Sequence, residues 1–181
     1  MAGVLWTAPL QPLMVGTSVA QNTFTAARDI PVGENVTAFK TIPGGSLEPG
    51  STIQVEAWGV ASNTGTPTLI LGVYHGLVAG TALVVSPAKT TTTAMSNWEW
   101  HLIYTARVVT IGTTGSIIGS GFWRLPTSLT AWTEFRLPET APAAVTIDTT
   151  VDKKISIGAT WSASSASNTI TCHECLVEVH G

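Results

Sequence analysis

The stretch Trp98–Ile111 reads WEWHLIYTARVVTI, and apolar residues occupy every second position from its first residue to Val108. Successive side chains of an extended chain point to opposite faces. One face of this stretch carries Trp98, Trp100, Leu102, Tyr104, Ala106 and Val108, and the other carries Glu99, His101, Thr105 and Arg107. The period of two predicts a β-strand with one face in a core and the other face toward water.

Other stretches extend this pattern. Thr52–Val60 and Lys154–Ser162 alternate in the same way, whereas Thr68–Tyr74 (TLILGVY) is apolar on both faces and is predicted to be a central strand covered on both sides. Further strands are predicted near Thr23–Arg28, Asn35–Ile42, Ala82–Ser86, Ser116–Arg124, Val145–Asp148 and Thr169–His180.

Turn residues separate these runs, and no segment has a capped helical period. The turn segments are Pro31–Gly33, Pro43–Gly45, Pro49–Gly50, Asn63–Gly65 and the Gly-rich Gly112–Gly121, which is interpreted as a hairpin rather than a phosphate loop. The chain is therefore predicted to be all-β, a sandwich of about eight to ten antiparallel strands without substantial helix.

Length and composition predict one domain with covered surfaces. The 181 residues suit a single β-sandwich domain over residues 21–181, preceded by an N-terminal arm over residues 1–20. Only 10% of residues are charged, against roughly 25% in an average domain. Because 44% of residues are hydrophobic and 29 are threonine, uncharged polar residues and partner molecules are both expected to cover the surface.

Charge and hydropathy argue against several partners. The only adjacent basic pair is Lys153-Lys154, so the clustered cations that bind nucleic acid are missing. No apolar run approaches the roughly 18 residues that span a bilayer. The apolar N-terminus has no Lys or Arg before Arg28, and Pro9 and Pro12 interrupt it. It is therefore a poor signal peptide, and synthesis in the cytoplasm is expected.

The segment Cys172-His173-Glu174-Cys175 is the sharpest local feature. The apolar phase of the last strand flips near His173-Glu174, which predicts a β-bulge that lets both cysteines face inward. A metal or redox CxxC site is the alternative. Zinc needs about four ligands, and His75, His101 and His180 are scattered. A structural role is favoured, and no metal or cofactor is expected.

No catalytic site is expected either. The sequence has none of the GxSxG, HExxH, Walker or GxGxxG motifs, and its acidic residues are scattered. Nothing converges on a nucleophile with an adjacent base, so the chain is predicted not to be an enzyme.

Two groups of apolar residues are candidates for partner binding. Trp98, Trp100 and Trp161 fall on predicted core phases, but Trp123 and Trp132 could line a binding surface, with Trp132 in a predicted loop LPTSLTAWTEF. The arm carries Trp6, Leu10, Leu13 and Met14, which either fold back on the sandwich or dock on a neighbouring chain.

Three segments resemble small structural proteins of tailed phages, especially those of actinobacteria. They are GSTIQVEAWGVASNTGTPTLILGVYHG (Gly50–Gly76), SNWEWHLIYTARVVTIGTTGSIIG (Ser96–Gly119) and VTIDTTVDKKISIGATWSASSASNTIT (Val145–Thr171). The resemblance lies in the order of strands and turns, and it covers roughly residues 34–180. It implies a jelly-roll similar to the tumour-necrosis-factor type that assembles as a homotrimer.

Two functions follow as expectations. The first is a capsid decoration protein, made in the host cytoplasm, that binds a major capsid protein on the virion surface and stabilises the assembled head. The second is a carbohydrate- or receptor-binding module of a fibre or tail tip, motivated by the tryptophans. Both functions share the fold, so the fold alone does not separate them.

Overall fold

Two antiparallel sheets face each other and enclose the hydrophobic core. A computed structural model describes residues 19–32, 39–128 and 130–181, and within these ranges the chain forms twelve strands and no helix. The strands are β1 (Arg28–Asp29), β2 (Thr41–Ile42), β3 (Thr52–Ser62), β4 (Thr68–His75), β5 (Thr81–Val85), β6 (Lys89–Thr90), β7 (Trp98–Thr110), β8 (Gly115–Ser128), β9 (Ala131–Leu137), β10 (Val145–Ile147), β11 (Lys153–Trp161) and β12 (Thr169–His180).

The chain crosses repeatedly from one sheet to the other. The β4 sheet has the order β1-β11-β4-β5, with β2 paired to β11 and β6 paired to β4. The β3 sheet has the order β10-β8-β7-β3-β12, with β9 paired to β8. Consecutive strands such as β3 and β4, or β11 and β12, lie in different sheets, whereas strands distant in sequence are neighbours. The predicted all-β sandwich of antiparallel strands is confirmed, whereas its jelly-roll type stays a prediction. The twelve described strands exceed the predicted eight to ten because β1, β2 and β6 have only two residues each.

Period-two alternation builds the core as predicted. Ile53, Val55 and Ala57 of β3 are completely buried, and Tyr104 and Leu102 pair with the last two from β7. From the opposite sheet the core receives Leu69, Leu71 and Val73 of β4 and Ile155, Ile157 and Ala159 of β11. Burying one large apolar side chain contributes about 1.5–3 kcal/mol, so these inward faces hold the two sheets together.

The prediction for Thr68–Tyr74 is also confirmed. The strand β4 lies between β11 and β5, and Leu69 to His75 are buried except for the half-buried Ile70. On the face away from the core, the Tyr74 ring lies close to Gly72 of its own strand and to Gly158 of β11. The aromatic ring therefore covers the second face that the apolar sequence requires.

The hairpin prediction for the Gly-rich segment is confirmed. Strands β7 and β8 pair from His101 with Arg124 to Thr110 with Ser116, and the turn between them places Gly112 at a φ of 114°. Glycine adopts this left-handed conformation at little cost.

The prediction of a loop around Trp132 is wrong. Strands β8 and β9 form a second hairpin, with Phe122 opposite Arg136 and Pro126 opposite Trp132. The register shifts between Pro126 and Ser128. Proline interrupts a strand pattern in sequence, but a bulge tolerates it because no ladder hydrogen bond is lost there.

The N-terminal strands are shorter than predicted. Of the first predicted strand, Thr23–Arg28, only Arg28 lies in a strand, as the first residue of β1, and Thr23 has a φ of 57°, which breaks an extended run. Only Thr41–Ile42 is a strand in the second predicted region, and residues 33–38 lie outside the described residues. Most of the predicted arm over residues 1–20 also lies outside them, so the domain boundary stays a prediction.

One edge of β8 is divided between two strands. The first part, Gly115–Ile117, pairs with β10, and the part from Gly121 onward pairs with β9. The other edge of β8 pairs with β7 along most of its length. The longest strand among the described residues is thus covered on one side by two short ones.

Gly119 of β8 packs against the buried Tyr104. A Cβ at Gly119 would lie 2.4 Å from Tyr104 Oη and 2.7 Å from Ala106 Cβ. Tyr104 is 1% exposed and its hydroxyl is 3.5 Å from the Leu83 carbonyl oxygen, so the ring has little freedom to move away.

We expect Gly119→Ala to lower the free energy of unfolding by about 1–3 kcal/mol, because it overpacks a filled site. Urea denaturation measures this change. The matched control is Ser120→Ala, on the exposed side of the same strand, which should stay within about 0.5 kcal/mol of the wild type. Equal stabilities for the two variants would contradict the packing argument.

Candidate functional site

The face of the β3 sheet that points away from the core is a candidate binding surface, called here the outer face. Strand register places its side chains in rows that run across the sheet. One row is Glu174, Trp58, His101, Arg124 and Glu134, and the next is Leu176, Glu56, Ile103, Phe122 and Arg136. All ten residues are half-buried or exposed. Large apolar side chains and charges therefore alternate over one broad surface.

The aromatic residue Trp58 marks a cleft on this surface. Its side chain is 37% exposed, its Nε1 donates a hydrogen bond to Glu174 Oε2 at 2.8 Å, and its ring lies 5.2 Å from the His173 ring. An open cleft of about 220 Å³ is lined by Trp58, Glu99 and His101. His101 Nε2 lies 2.9 Å from Glu56 Oε1, which fixes the imidazole. The cleft thus combines an aromatic ring, a carboxylate and an imidazole, and the ring and the imidazole are each held by a hydrogen bond.

A second aromatic group lies on β8 and β9. Trp132 is 64% exposed. The Arg124 guanidinium lies 5.6 Å from the Trp132 ring centroid and 5.2 Å from that of Phe122. Arg124 Nε also donates to Glu134 Oε2 at 3.0 Å. Cation–π contacts of this kind contribute about 0.5–1 kcal/mol at exposed sites, so they hold Trp132 against the sheet.

Opposite charges are separated on the outer face. The chain has 8 basic and 11 acidic residues, and three and five of them respectively lie on the described part of this face. The strands β12 and β3 and the start of β7 carry Glu174, Glu178, Glu56 and Glu99. The end of β7 and the strands β8 and β9 carry Arg107, Arg124 and Arg136, with Glu134 beside Arg124. A sparsely charged protein thus has an acidic half and a basic half on one surface.

The predicted positions of the tryptophans are confirmed for three residues and wrong for one. Trp100 and Trp161 are completely buried and Trp98 is half-buried against the core, as predicted. The prediction that Trp123 lines a surface is wrong, because it is 0% exposed and its ring lies 5.3 Å from that of Phe135. Trp132 is on the surface, and its role in binding stays a prediction.

Trp58 is a surface aromatic residue that was not predicted. The signal is present in the sequence, because Trp58 shares the parity of Gln54 and Glu56, the polar residues of Thr52–Val60. A tryptophan on an otherwise polar strand face departs from the alternation, and this departure identifies Trp58 as a candidate binding residue. The partners of Trp58 come from β12 and β7, so only the strand order brings them together.

The predicted bulge in the last strand is confirmed. Pairing between β12 and β3 shifts between Cys172 and Glu174. As a result, Cys172 lies opposite Gly59 and Cys175 lies opposite Ala57, both on the core side of β3. Both cysteines are free thiols, and Cys172 Sγ donates to the Glu174 carbonyl oxygen at 3.1 Å.

The surroundings of the two thiols favour the structural role. Burial raises the pKa of Cys172 well above its ordinary value, and burial together with the Glu174 carboxylate raises the pKa of Cys175 to about 12. Thiolates are the form that attacks or binds metals, so both groups stay protonated near neutral pH. Within the described ranges, no three His, Cys, Asp or Glu side chains are gathered so as to hold a metal ion.

The predicted arm residues Trp6, Leu10, Leu13 and Met14 lie outside the described residues. In the described part of the chain, no helix has the length and apolar character needed to cross a membrane.

Comparison with known protein families, with characterised proteins and with solved structures found no significant match.

We expect both cysteines to react slowly with a thiol reagent at pH 8 in the folded protein. Labelling should be at least about 100-fold slower than in guanidinium, because the raised pKa values leave little thiolate. A Ser164→Cys variant adds an exposed thiol as a control, and that thiol should react at once. Rapid labelling of Cys172 or Cys175 in the native protein would contradict the structural role.

Proposed function

We propose that this protein is a virion structural protein, a homotrimeric jelly-roll that binds the assembled capsid of a tailed phage and stabilises it. The observation that carries the proposal is the outer face of the β3 sheet. Its exposed and half-buried apolar residues are Trp58, Ile103, Ile118, Phe122, Trp132 and Leu176. Contiguous apolar patches of this kind mark sites of association.

The separated charges support a cyclic assembly. When two different patches on one surface are complementary, each copy contacts the next head to tail, and the contacts close into a ring if the rotation permits. The acidic half, with Glu56 and Glu174, and the basic half, with Arg124 and Arg136, are patches of this type. Such charges steer the copies into register as well as attracting them.

The proposed function of the assembly is to bind a capsid and stabilise it. A protein that binds the assembled shell and not its dissociated subunits stabilises the shell by mass action. The resemblance to phage structural proteins supports this partner. The apolar N-terminal residues, among them Trp6 and Leu10, are proposed to contact the major capsid protein.

We expect the wild-type chain to be a trimer by native mass spectrometry, and Ile103→Lys to convert it to a monomer. Ile103 lies in the middle of the outer face, so a lysine there places an unpaired charge in the interface. Val85→Lys is the matched control, because Val85 is 41% exposed in the β4 sheet and should leave the trimer intact. A monomeric wild-type chain would contradict the proposed assembly.

The capsid partner is tested separately. Deletion of residues 1–18 should abolish co-sedimentation with capsids of the encoding phage while the trimer persists. Unchanged capsid binding by the deletion variant would rule out the arm as the contact. No binding by the full chain would rule out the decoration function.

A carbohydrate- or receptor-binding module is the second candidate, and the 64% exposure of Trp132 beside Arg124 is the observation that favours it. A glycan array separates the two functions. Specific glycan binding that is lost in Trp132→Ala, without a change in oligomeric state, would favour this candidate over decoration.

A further inference from the structure

We infer that the Trp58 cleft is the receptor for an arginine of a neighbouring copy, and that this arginine is Arg136. The inference rests on the proposed trimer and adds the contact that fixes its register. It follows from the chemistry of the cleft, from the arginines the chain offers and from the distance between the two groups.

The cleft has the chemistry that binds a guanidinium. An aromatic face, a carboxylate and an imidazole line it, from Trp58, Glu99 and His101. Arginine combines stacking on an aromatic ring with hydrogen bonds to a carboxylate, which lysine does less well. The cleft is open to solvent and its volume of about 220 Å³ is well above the roughly 10–15 Å³ that one water requires in the same measure, so a planar side-chain head has room to enter.

The cleft is prepared for a ligand. The Trp58 indole is held by Glu174 at 2.8 Å and by the His173 ring, and His101 is held by Glu56 at 2.9 Å. Glu99, in contrast, is exposed and forms no hydrogen bond or ion pair with any described residue. Among the described residues of one copy, the Trp58 ring is therefore held in place, but the neighbouring Glu99 carboxylate has no cation to bind.

The chain has four arginines, and two of them are already engaged. Arg28 lies 5.9 Å from the Phe24 ring centroid, and Arg124 is bound by Glu134 at 3.0 Å. Arg107 and Arg136 are exposed and form no such contact within the described ranges. Arg107 lies toward the end of β7, inside the sheet, whereas Arg136 lies on the short outer strand β9.

Position on β9 favours Arg136. An edge strand reaches the surface of a neighbouring copy without requiring the two sheets to stack over their full width. Arg136 belongs to the basic half of the outer face, and the cleft belongs to the acidic half. The pairing therefore joins the two complementary patches in the head-to-tail manner that a ring requires.

The two groups do not meet within one copy. Glu99 on β7 and Arg136 on β9 are separated by β8, which places them two strand spacings, about 10 Å, apart across the sheet. Continued two residues beyond His101 and Arg124, the β7–β8 register places Glu99 level with Pro126, which pairs with Trp132, four residues from Arg136 along β9. This adds about 13 Å along the strand, so a direct contact has to come from another copy.

Reversal of the charges tests the pair. Glu99→Arg and Arg136→Glu should each raise the dissociation constant of the trimer at least about tenfold, because each places like charges together. The double variant E99R/R136E restores opposite charges at every interface of the ring, and its dissociation constant should return to within about threefold of the wild type. Analytical ultracentrifugation measures all four proteins, and circular dichroism confirms that each is folded.

Two controls make the result specific. Lys40→Glu reverses a basic residue that lies off the outer face and should leave the trimer unchanged. The variant E99R/R107E changes Arg107, the other unengaged arginine, and keeps Arg136. It should remain dissociated. Rescue by R107E instead of R136E would overturn the assignment of Arg136.

A cross-link provides a measurement that does not depend on repulsion. Oxidation of E99C/R136C should give covalent dimers and trimers on a denaturing gel, whereas E99C/K40C should give none. Cys172 and Cys175 face the core side and should not compete. A trimeric wild type with unaffected single variants and no cross-link would overturn this inference alone, whereas a monomeric wild type would overturn the proposed assembly with it.

Discussion

The pairing of β3 on both of its edges is the constraint on which the rest of the structure depends. Ten residue pairs join β3 to β7 and eleven join it to β12, so three long strands form one rigid plate. Because Ile53, Val55 and Ala57 then share one side of that plate, the β4 sheet has a continuous apolar surface to cover. The same register sends Gln54, Glu56 and Trp58 to the other side. The alternation of side chains along β3 therefore determines both the core and the outer face.

The outer face combines a partly exposed apolar centre with surrounding charges. Ile103 and Phe122 lie in the middle of the β3 sheet, on strands paired on both edges, and are only half-buried. Charges are scarce in the chain, yet eight of them lie around these residues. Charge placed at the rim of an apolar centre is the usual anatomy of an interface that must also select its register. In this protein the register between copies would be selected by the separation of acidic and basic halves, because the number of charges is small.

Period-two patterns allowed most of the fold to be predicted from the sequence. The strands β3, β7, β11 and β12 follow their apolar alternation closely, and even the bulge at His173 was readable because the phase of Cys172 and Cys175 differs. The strand β9 was missed because the Pro, Ser and Thr residues of LPTSLTAWTEF are typical of a loop. Trp123 was misplaced because both parities of its strand carry apolar residues, with Ile117 on one and Ile118 on the other. The Trp58 cleft joins β3, β7 and β12, which are far apart in sequence. Its parts were visible in the sequence, but their proximity depends on strand order.

The division of the β8 edge between β9 and β10 limits how the molecule can aggregate. A long free edge offers an uninterrupted ladder to any passing strand, and native proteins avoid this with short or irregular edge strands. Here the outermost strands on that side have seven and three residues and are separated along the chain by residues 138–144. Neither is long enough to template a continuous foreign strand. Growth of the sheet into a fibre is disfavoured on this side, which leaves the flat outer face as the surface where the proposed closed assembly would form.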